Sequence, residues 1–188
     1  ANSVIQQADG KLVVAGSSDN GIDLDFSLIR LNANGSLDTS FGSGGKLIVP
    51  MELGEDDARS VIQQADGKLV VAGWSSNGSN NDFSLIRLNA DGSLDTDFGS
   101  GGKLVTDIGS SSRDLGNSIT VQTDGKIVVG GVVDTLGGRA SKKLARLNAD
   151  GSNRDDVSSD ALMYFWANYR KSVADARVVG DNPSVAIV

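Results

Sequence analysis

The chain has 188 residues, of which 39% are hydrophobic, and this composition supports a globular body with an apolar core. Its formal net charge of −7 disfavours a nucleic-acid-binding surface, which needs clustered Lys and Arg, and also disfavours docking on anionic membranes. No apolar run reaches the roughly 18 to 20 residues of a membrane helix, and the lack of Cys and His excludes disulfides, cysteine-based metal sites and a Ser-His-Asp triad.

The first predicted element lies in a sequence segment that the chain repeats. Residues 3–16 recur without change at residues 60–73 and with substitutions at residues 118–131, so the offsets are 57 and 58 residues. Repeats of this length usually mean one supersecondary unit that is stacked several times. We therefore predict three tandem units, at about residues 1–57, 58–115 and 116–157.

Each unit is predicted to contain four short strands. In the first unit the strands are placed at residues 3–7, 11–16, 25–32 and 46–49. Asp9-Gly10 between the first two strands is a strong hairpin signal, and Asn34-Gly35 predicts a second turn. The run Leu12-Val13-Val14-Ala15 is apolar at consecutive positions, so we expect both faces of this strand to be covered.

The amino-acid sequence of the repeat is similar to that of a known family. The pattern Gln-x-Asp-Gly-Lys-(Leu/Ile)-Val-Val-(Ala/Gly)-Gly, followed by Asp-Phe-Ser-Leu-Ile-Arg-Leu-Asn and Leu-Asp-Thr-x-Phe-Gly-x-Gly-Gly-Lys, resembles the delta-60 repeats of large bacterial, often surface-associated proteins. The resemblance covers residues 1–151 and implies an all-β fold of propeller-like blades, which agrees with four strands per unit. It implies no catalytic motif.

Three units leave the closure of the fold open, because propellers usually have four to eight blades. Three alternatives remain: the chain is part of a longer array, it pairs with another copy into a six-bladed ring, or it forms an open stack. The chain starts within the repeat and without a signal peptide, so we expect its first residue to be a processed or cloned boundary.

The repeat pattern breaks after residue 151, and a helix is predicted over residues 158–180. Ser158, Ser159 and Asp160 supply N-cap chemistry, and Gly180 lies where the helix should end. Its apolar stripe at helical spacing predicts either a cap over the end of the array or a docking element for a neighbouring chain. The residues that we assign to assembly in this helix are Leu162, Phe165, Trp166 and Tyr169.

The last residues, 181–188, resemble the start of a fourth unit and are predicted to form an extra strand. A single extra strand has unpaired backbone groups, so it favours addition to the edge of a sheet. We expect this strand to join subunits into a homo-oligomer or filament, with Val185 and Ile187 contributing to assembly.

Calcium is the only cofactor that the sequence raises, and we expect none. Residues 89–95 resemble the tail of an Asp-rich calcium loop, but Arg87 stands where the leading Asp should be. A cation at the first ligand position opposes a hard dication, so we interpret the loop as an Asx turn whose Arg pairs with a nearby carboxylate. A weaker oxygen-rich cluster is formed by Asp19, Asp23 and Asp25.

The loop between the second and third strands is the most variable part of the repeat. Loops on a rigid scaffold are where binding residues usually lie, and an aromatic ring beside amide groups suits sugar stacking. The alternative interpretation is that the Trp packs within the sheet. The candidate ligand-binding residues in the second unit are Trp74, Asn77, Asn80, Asn81 and Asp82.

These observations predict a non-enzymatic bacterial repeat protein, extracellular or at the cell surface, with a structural, self-assembling role. The alternative is a lectin-like or adhesin module that binds a glycan or a surface protein through the variable loops. We expect no nucleic-acid partner and no membrane insertion. The 24 acidic residues recur mostly in turn signatures, which disfavours a catalytic carboxylate pair.

Overall fold

The computed structural model describes residues 1–51, 54–106, 114–132, 135–136, 139–140 and 144–152. The predicted helix at residues 158–180 and the predicted strand at residues 181–188 lie outside the described residues. Within the described part of the chain, every secondary-structure element is a β-strand. The predicted all-β character of the repeats is therefore confirmed there.

The first two units each form one antiparallel sheet of four strands, as the sequence predicts. The first sheet has the order β1-β2-β3-β4, and the second has the order β5-β6-β7-β8. The strands of the first sheet are β1 Ser3–Gln6, β2 Leu12–Asp19, β3 Leu24–Leu31 and β4 Lys46–Val49. Those of the second are β5 Asp56–Gln63, β6 Leu69–Ser76, β7 Asn81–Leu88 and β8 Lys103–Thr106.

The third unit forms a sheet of three described strands in the order β13-β10-β9, and a separate two-stranded sheet pairs β11 with β12. The residues that would carry a fourth strand of this unit lie outside the described residues. The strands are β9 Leu115–Val121, β10 Ile127–Val132, β11 Thr135–Leu136, β12 Arg139–Ala140 and β13 Leu144–Leu147.

The predicted Asp-Gly turns join the first two strands of every unit. The side-chain Oδ1 of Asp9 accepts a hydrogen bond from the backbone N–H of Lys11 at 3.1 Å, and Asp66 and Asp124 accept the same bond at the same distance. Such Asx turns leave the following residue at a positive φ that favours glycine, and Gly10 has φ 83°.

The second strand of each of the first two units is longer than predicted. Strand β2 continues through Asp19 and β6 through Ser76, although we placed these residues in a polar loop. The polar residues fit a strand because they are paired: Ser17 lies opposite Phe26, and the hydroxyls of Ser75 and Ser84 are hydrogen-bonded to each other. The variable loop is therefore a short turn.

Each sheet has two faces, which we name by the neighbour they meet. The downstream face carries Val13, Ala15, Phe26 and Leu28 in the first sheet and meets the second unit. The upstream face of the second sheet meets it with Val61, Leu69, Val71 and Ile86, and these eight residues belong to one buried apolar core. Strand β9 contacts β5, β6 and β7 in turn, so the third unit stacks on the second.

The prediction that both faces of the second strand are covered is confirmed in the second unit and wrong in the first. Leu69, Val70, Val71 and Ala72 are all 0% exposed, whereas Leu12 and Val14 are only half-buried. The sequences are identical at these positions. The difference arises because the upstream face of the first sheet has no neighbouring sheet among the described residues.

Candidate functional site

A cluster of polar and aromatic side chains surrounds Arg87 at the junction of the second and third units. The Nε of Arg87 donates a hydrogen bond to Oδ2 of Asp95 at 2.5 Å, and the guanidinium carbon lies 4.8 Å from the centre of the Phe98 ring. An Nη1–H of the same guanidinium donates to the backbone carbonyl of Ala149 in the third unit. One side chain thus joins two units.

The same cluster stands at the junction of the first and second units. Arg30 donates from Nε to Oδ2 of Asp38 at 2.7 Å, and its guanidinium carbon lies 4.7 Å from the centre of the Phe41 ring. Its Nη1 donates to the carbonyl of Ala90. We call the two sets Arg30-Asp38-Phe41 and Arg87-Asp95-Phe98 the inter-unit arginine clusters. A guanidinium can make all these contacts at once because its donors form a rigid planar fork.

A lysine of the preceding turn completes each cluster. Lys11 Nζ lies 2.9 Å from Oδ2 of Asp38, and Lys68 Nζ lies 2.8 Å from Oδ2 of Asp95. The Lys11 ammonium, the Ser40 hydroxyl and Arg30 hold the pKa of Asp38 well below its usual value. Lys68 and Arg87 lower the pKa of Asp95, against the opposing effect of burial. Both carboxyls are therefore held ionised, whereas a general acid needs a raised pKa.

The aromatic ring of each cluster packs against a glycine of the next unit. A Cβ added to Gly92 would lie 2.9 Å from Cε2 of Phe41, and one added to Gly151 would lie 2.8 Å from Cε2 of Phe98. Beside this contact the N–H of Gly42 donates to the carbonyl of Asp91 at 2.8 Å, and Gly99 does the same to Asp150 at 3.0 Å. The two junctions are therefore built in the same way.

The third unit keeps the arginine of the cluster but not its partners. Arg146 occupies the position of Arg30 and Arg87, while the positions of the acid and the ring are held by Arg154 and Val157 in the sequence. The Nε of Arg146 is buried and has no hydrogen-bond partner in the part of the chain that the structure describes. Lys126, which corresponds to Lys68, pairs with Asp124 of its own turn instead.

The interpretation of residues 89–95 as an Asx turn with a paired arginine is confirmed. Oδ1 of Asp91 accepts from the backbone N–H of Ser93 at 2.9 Å and from its hydroxyl at 2.7 Å, and Arg87 pairs with Asp95 as described. These bonds lower the pKa of Asp91. In the described residues no group of three or more acidic side chains is placed to hold a metal ion.

The structure brings Asp23 and Asp25 together around an amide. Nδ2 of Asn20 donates to Oδ1 of Asp23 at 2.9 Å and to Oδ2 of Asp25 at 2.6 Å, while its Oδ1 accepts from the backbone N–H of Ile22. Asp19 caps the same turn by accepting from the N–H of Gly21 at 2.7 Å. An amide N–H thus occupies the place between the carboxylates that a cation would take.

The candidate ligand residues of the second unit form the equivalent turn. Nδ2 of Asn77 donates to Oδ1 of Asn80 at 2.7 Å and to Oδ2 of Asp82 at 2.8 Å. Asn81 begins strand β7, and its backbone carbonyl accepts from the N–H of Asp114 in the third unit. The side chains of Asn77, Asn80 and Asp82 therefore lie close together, with Asp82 only 3% exposed.

Trp74 lies apart from that turn, within strand β6. It is half-buried between Asp57 on β5 and Phe83 on β7, and all three residues share the downstream face that meets the third unit. Its indole N–H is buried and has no hydrogen-bond partner within the described ranges. The Trp is thus part of the sheet and does not present a ring beside the Asn77 amide.

The six residues predicted to mediate assembly lie outside the described residues. The sequence reasoning found the pairing of the repeat arginine with a carboxylate but missed its role between units. The signal was present: an Arg, an Asp eight residues later and a Phe eleven residues later occur in the first two units and are broken in the third. No helix long and apolar enough to cross a membrane occurs in the part of the chain that the structure describes.

Comparison with known proteins agrees with this repeat architecture. No curated protein matches the chain. Residues 7–41, 64–98 and 122–152, together more than half of the chain, match a family described as a β-propeller domain of unknown function (DUF5122). The third match ends before Arg154 and Val157, where the arginine cluster is broken in the sequence. The chain therefore belongs to the DUF5122 β-propeller family.

Proposed function

We propose that this chain is a non-enzymatic structural repeat protein, extracellular or at the bacterial cell surface, that self-assembles. The observation that carries the proposal is the repeated use of charged side chains at the junctions between units. Arg30 and Arg87 make ion pairs, ring contacts and hydrogen bonds to the next unit, so the polar residues that the first two units share hold sheets together. A scaffold needs such contacts, whereas a binding site would leave polar groups free for a ligand.

The same residues argue against catalysis. The sequence has no His and no Cys, so general acid and base groups would have to come from the acidic residues, Lys or Tyr. The buried carboxylates Asp38 and Asp95 are each paired with Lys and Arg, which lowers their pKa and weakens them as bases. These carboxylates are suited to a structural role.

Assembly is proposed to involve residues 158–188, through the aromatic stripe that contains Phe165 and Trp166 and through the strand that contains Val185 and Ile187. Static light scattering should compare the whole chain with a chain that ends at Val157. We expect a multimer that falls to a monomer on truncation. A matched variant, Val185→Asp with Ile187→Asp, should distinguish the contribution of the predicted strand to the oligomeric state from that of the predicted helix. A monomeric whole chain, or a truncated chain of unchanged oligomeric state, would contradict the proposal.

The finer family assignment, to the delta-60 repeats, and the surface location belong to the same proposal. They are supported by the amino-acid sequence of the repeat and by the bacterial, surface-associated location that the resemblance implies. Protease treatment of intact cells that produce the protein tests the location. Release of peptides from residues 1–106 without cell lysis is expected, and protection of those peptides until lysis would contradict it.

The glycan-binding alternative has weaker support from the geometry. Asn77 and Asp82 bond to each other, and Trp74 faces the third unit, so the three groups do not form one sugar-binding surface. Glycan-array binding compared between the unmodified chain and Trp74→Ala tests it. Specific binding that Trp74→Ala abolishes, with the fold retained, would favour the lectin over the scaffold.

A further inference from the structure

The upstream face of the first sheet is an exposed copy of a surface that is buried elsewhere in the same molecule. Val4 and Val61 occupy the same position in consecutive units, yet Val4 is 61% exposed and Val61 is 2% exposed. Val14 and Ile29 are half-buried, while their counterparts Val71 and Ile86 are 0% exposed. Six apolar residues of this face, Ala1, Val4, Leu12, Val14, Ile29 and Leu31, are identical to Ala58, Val61, Leu69, Val71, Ile86 and Leu88.

The buried copy shows what chemistry covers this surface. The six second-unit residues lie in one core with the downstream face of the first sheet, which contributes Phe26 and Leu28. The ring of Phe26 approaches Gly73 so closely that an added Cβ would lie 2.8 Å from Cζ. An identical upstream face should accept an identical downstream face, because packing complementarity follows from the side chains and their register.

An open cavity on the first sheet lies where that phenylalanine ring would fit. It has a volume of about 110 Å³ and is lined by Val14, Gly16, Ser17, Ser27 and Ile29, with Ala1 at its edge. Gly16 corresponds to Gly73, and Ser27 to Ser84. The cavity therefore matches by position the place that Phe26 fills on the second sheet.

The contact points of the arginine cluster are also exposed on the first unit. Gly35 has φ 84° and nothing within 4 Å of an added Cβ, whereas its counterparts Gly92 and Gly151 are covered by Phe41 and Phe98. Ala33 and Asn34 correspond to Ala90 and Asp91, whose carbonyls accept hydrogen bonds from Arg30 and Gly42. The first unit thus has the apolar face, the cavity, the glycine and the backbone carbonyls of a junction. No other unit among the described residues covers them.

We propose that the upstream face of the first sheet is a docking surface for one further repeat of this family. That repeat must carry phenylalanines at the positions of Phe26 and Phe41, with Arg and Asp at the positions of Arg30 and Asp38. Its first ring fills the cavity at Gly16, its second covers Gly35, and its guanidinium donates to the carbonyl of Ala33.

A second copy of this chain does not offer that surface. The downstream faces of its first two units are covered by its own second and third units. At the positions of Phe83, Asp95 and Phe98 its third unit has Lys142, Arg154 and Val157 in the sequence. The occupant is therefore a repeat with the residues of the first two units.

The test extends the full chain at its N-terminus by a copy of residues 1–57. The junction is natural, because residue 57 of the copy is then followed by Ala1 just as Asp57 is followed by Ala58. The chain has no Cys, so Val4→Cys in the original unit places a single thiol on the proposed docking surface. Val61→Cys without the extension supplies the rate expected for a buried thiol, and Val4→Cys without the extension supplies the exposed rate.

We expect the extension to slow labelling of the Val4→Cys thiol by about tenfold or more, towards the rate of Val61→Cys, because labelling then requires local opening. The control is the same extension with Phe26→Ala and Arg30→Ala in the copied unit, which should leave labelling fast. The extended protein should also unfold at a higher urea concentration than the control, since each docked repeat adds an interface.

Three results would overturn the proposal: labelling that the extension leaves fast, equal slowing by the Phe26→Ala and Arg30→Ala control, or slow labelling of the unextended protein at high concentration only. The last result would assign the face to a second copy of the chain. This proposal does not rest on residues 158–188, so a failed truncation experiment in light scattering and a failed labelling experiment are separate outcomes.

Discussion

The ring of Phe41 in the first unit lies directly against Gly92 in the second unit, where an added Cβ would lie 2.9 Å from Cε2 of the ring. The contact is one of the points at which consecutive units are joined. It recurs between Phe98 and Gly151 and is absent at Gly35, which faces no ring among the described residues. The same turn therefore exists in a covered form and an uncovered form within one chain.

Gly92→Ala should destabilise the protein more than Gly35→Ala does. Both residues have a positive φ, of 88° and 84°, so each substitution costs about 1–2 kcal/mol of backbone strain. Gly92→Ala must also displace Phe41, which adds about 1–3 kcal/mol for overpacking. Urea unfolding of the two variants measures the difference, and equal losses of stability would show that the Phe41 contact contributes nothing.

Arg87→Ala should cost about 3 kcal/mol of unfolding free energy, near the lower end of the range for a broken buried ion pair, because Lys68 still pairs with Asp95. The matched control is Arg146→Ala, because the Nε of Arg146 is buried without a hydrogen-bond partner among the described residues. Removing an arginine that lacks the repeat carboxylate in the sequence should change stability by about 1 kcal/mol or less. Chemical denaturation of both variants tests the prediction, and a control that loses as much as Arg87→Ala would refute the importance of the cluster.

Stability should fall in acid because of Asp38 and Asp95. Lys11 and Lys68, with the two arginines, lower the folded-state pKa of these carboxyls below the ordinary value of 3.8. A depressed folded-state pKa contributes stability that is present above the ordinary pKa and is lost as the pH falls below it. The urea midpoint should therefore be level from neutral pH to about pH 5 and then decline.

Asp95→Asn is the control for this pH dependence. The amide cannot ionise, so the variant should be less stable at neutral pH and should show a shallower decline in acid. Urea midpoints across the acid range measure both slopes. A variant with the same slope as the unmodified chain would assign the acid sensitivity to other carboxyls, such as Asp91 and Asp150, whose pKa is lowered by serine in their turns.

Asn20→Asp should destabilise the first turn between β2 and β3. The amide N–H that bridges Asp23 and Asp25 becomes a carboxylate oxygen, so two hydrogen bonds are replaced by repulsion between like charges. We expect a loss of about 1–3 kcal/mol. Thermal unfolding with and without calcium completes the experiment. The unmodified chain should unfold at the same temperature in both conditions, and a calcium-induced rise would show that the carboxylates bind a cation despite the amide.

The strands of the first two units could be predicted from the sequence because their signals are local. Asp9-Gly10 and Asn34-Gly35 mark turns by backbone chemistry that depends only on neighbouring residues. The fourth strand at Lys46–Val49 was placed correctly for the same reason. The sequence predicts a loop at Ser17 and Ser75 because polar residues there end the apolar pattern by which a strand is recognised. In the structure both residues remain in strands, because each is paired with a residue of the neighbouring strand.

The site was harder to predict because its contacts join residues that are far apart in sequence. The carbonyl that accepts from Arg30 belongs to Ala90, sixty positions away. No local pattern marks a backbone carbonyl as an acceptor, so only the repeat itself could have indicated the junction. Trp74 was assigned to a binding loop from its neighbours in sequence, whereas its neighbours in space are Asp57 and Phe83.

The two kinds of face on each sheet have a consequence for how such a chain can change its length over evolution. Duplication of one 57-residue period inserts a downstream face and an upstream face that already fit, so a longer protein arises without any new interface. Loss of a whole period should likewise leave faces that match. Substitutions such as those at Arg154 and Val157 act differently, because the third unit then lacks the acid and the ring that join the first two units to their neighbours.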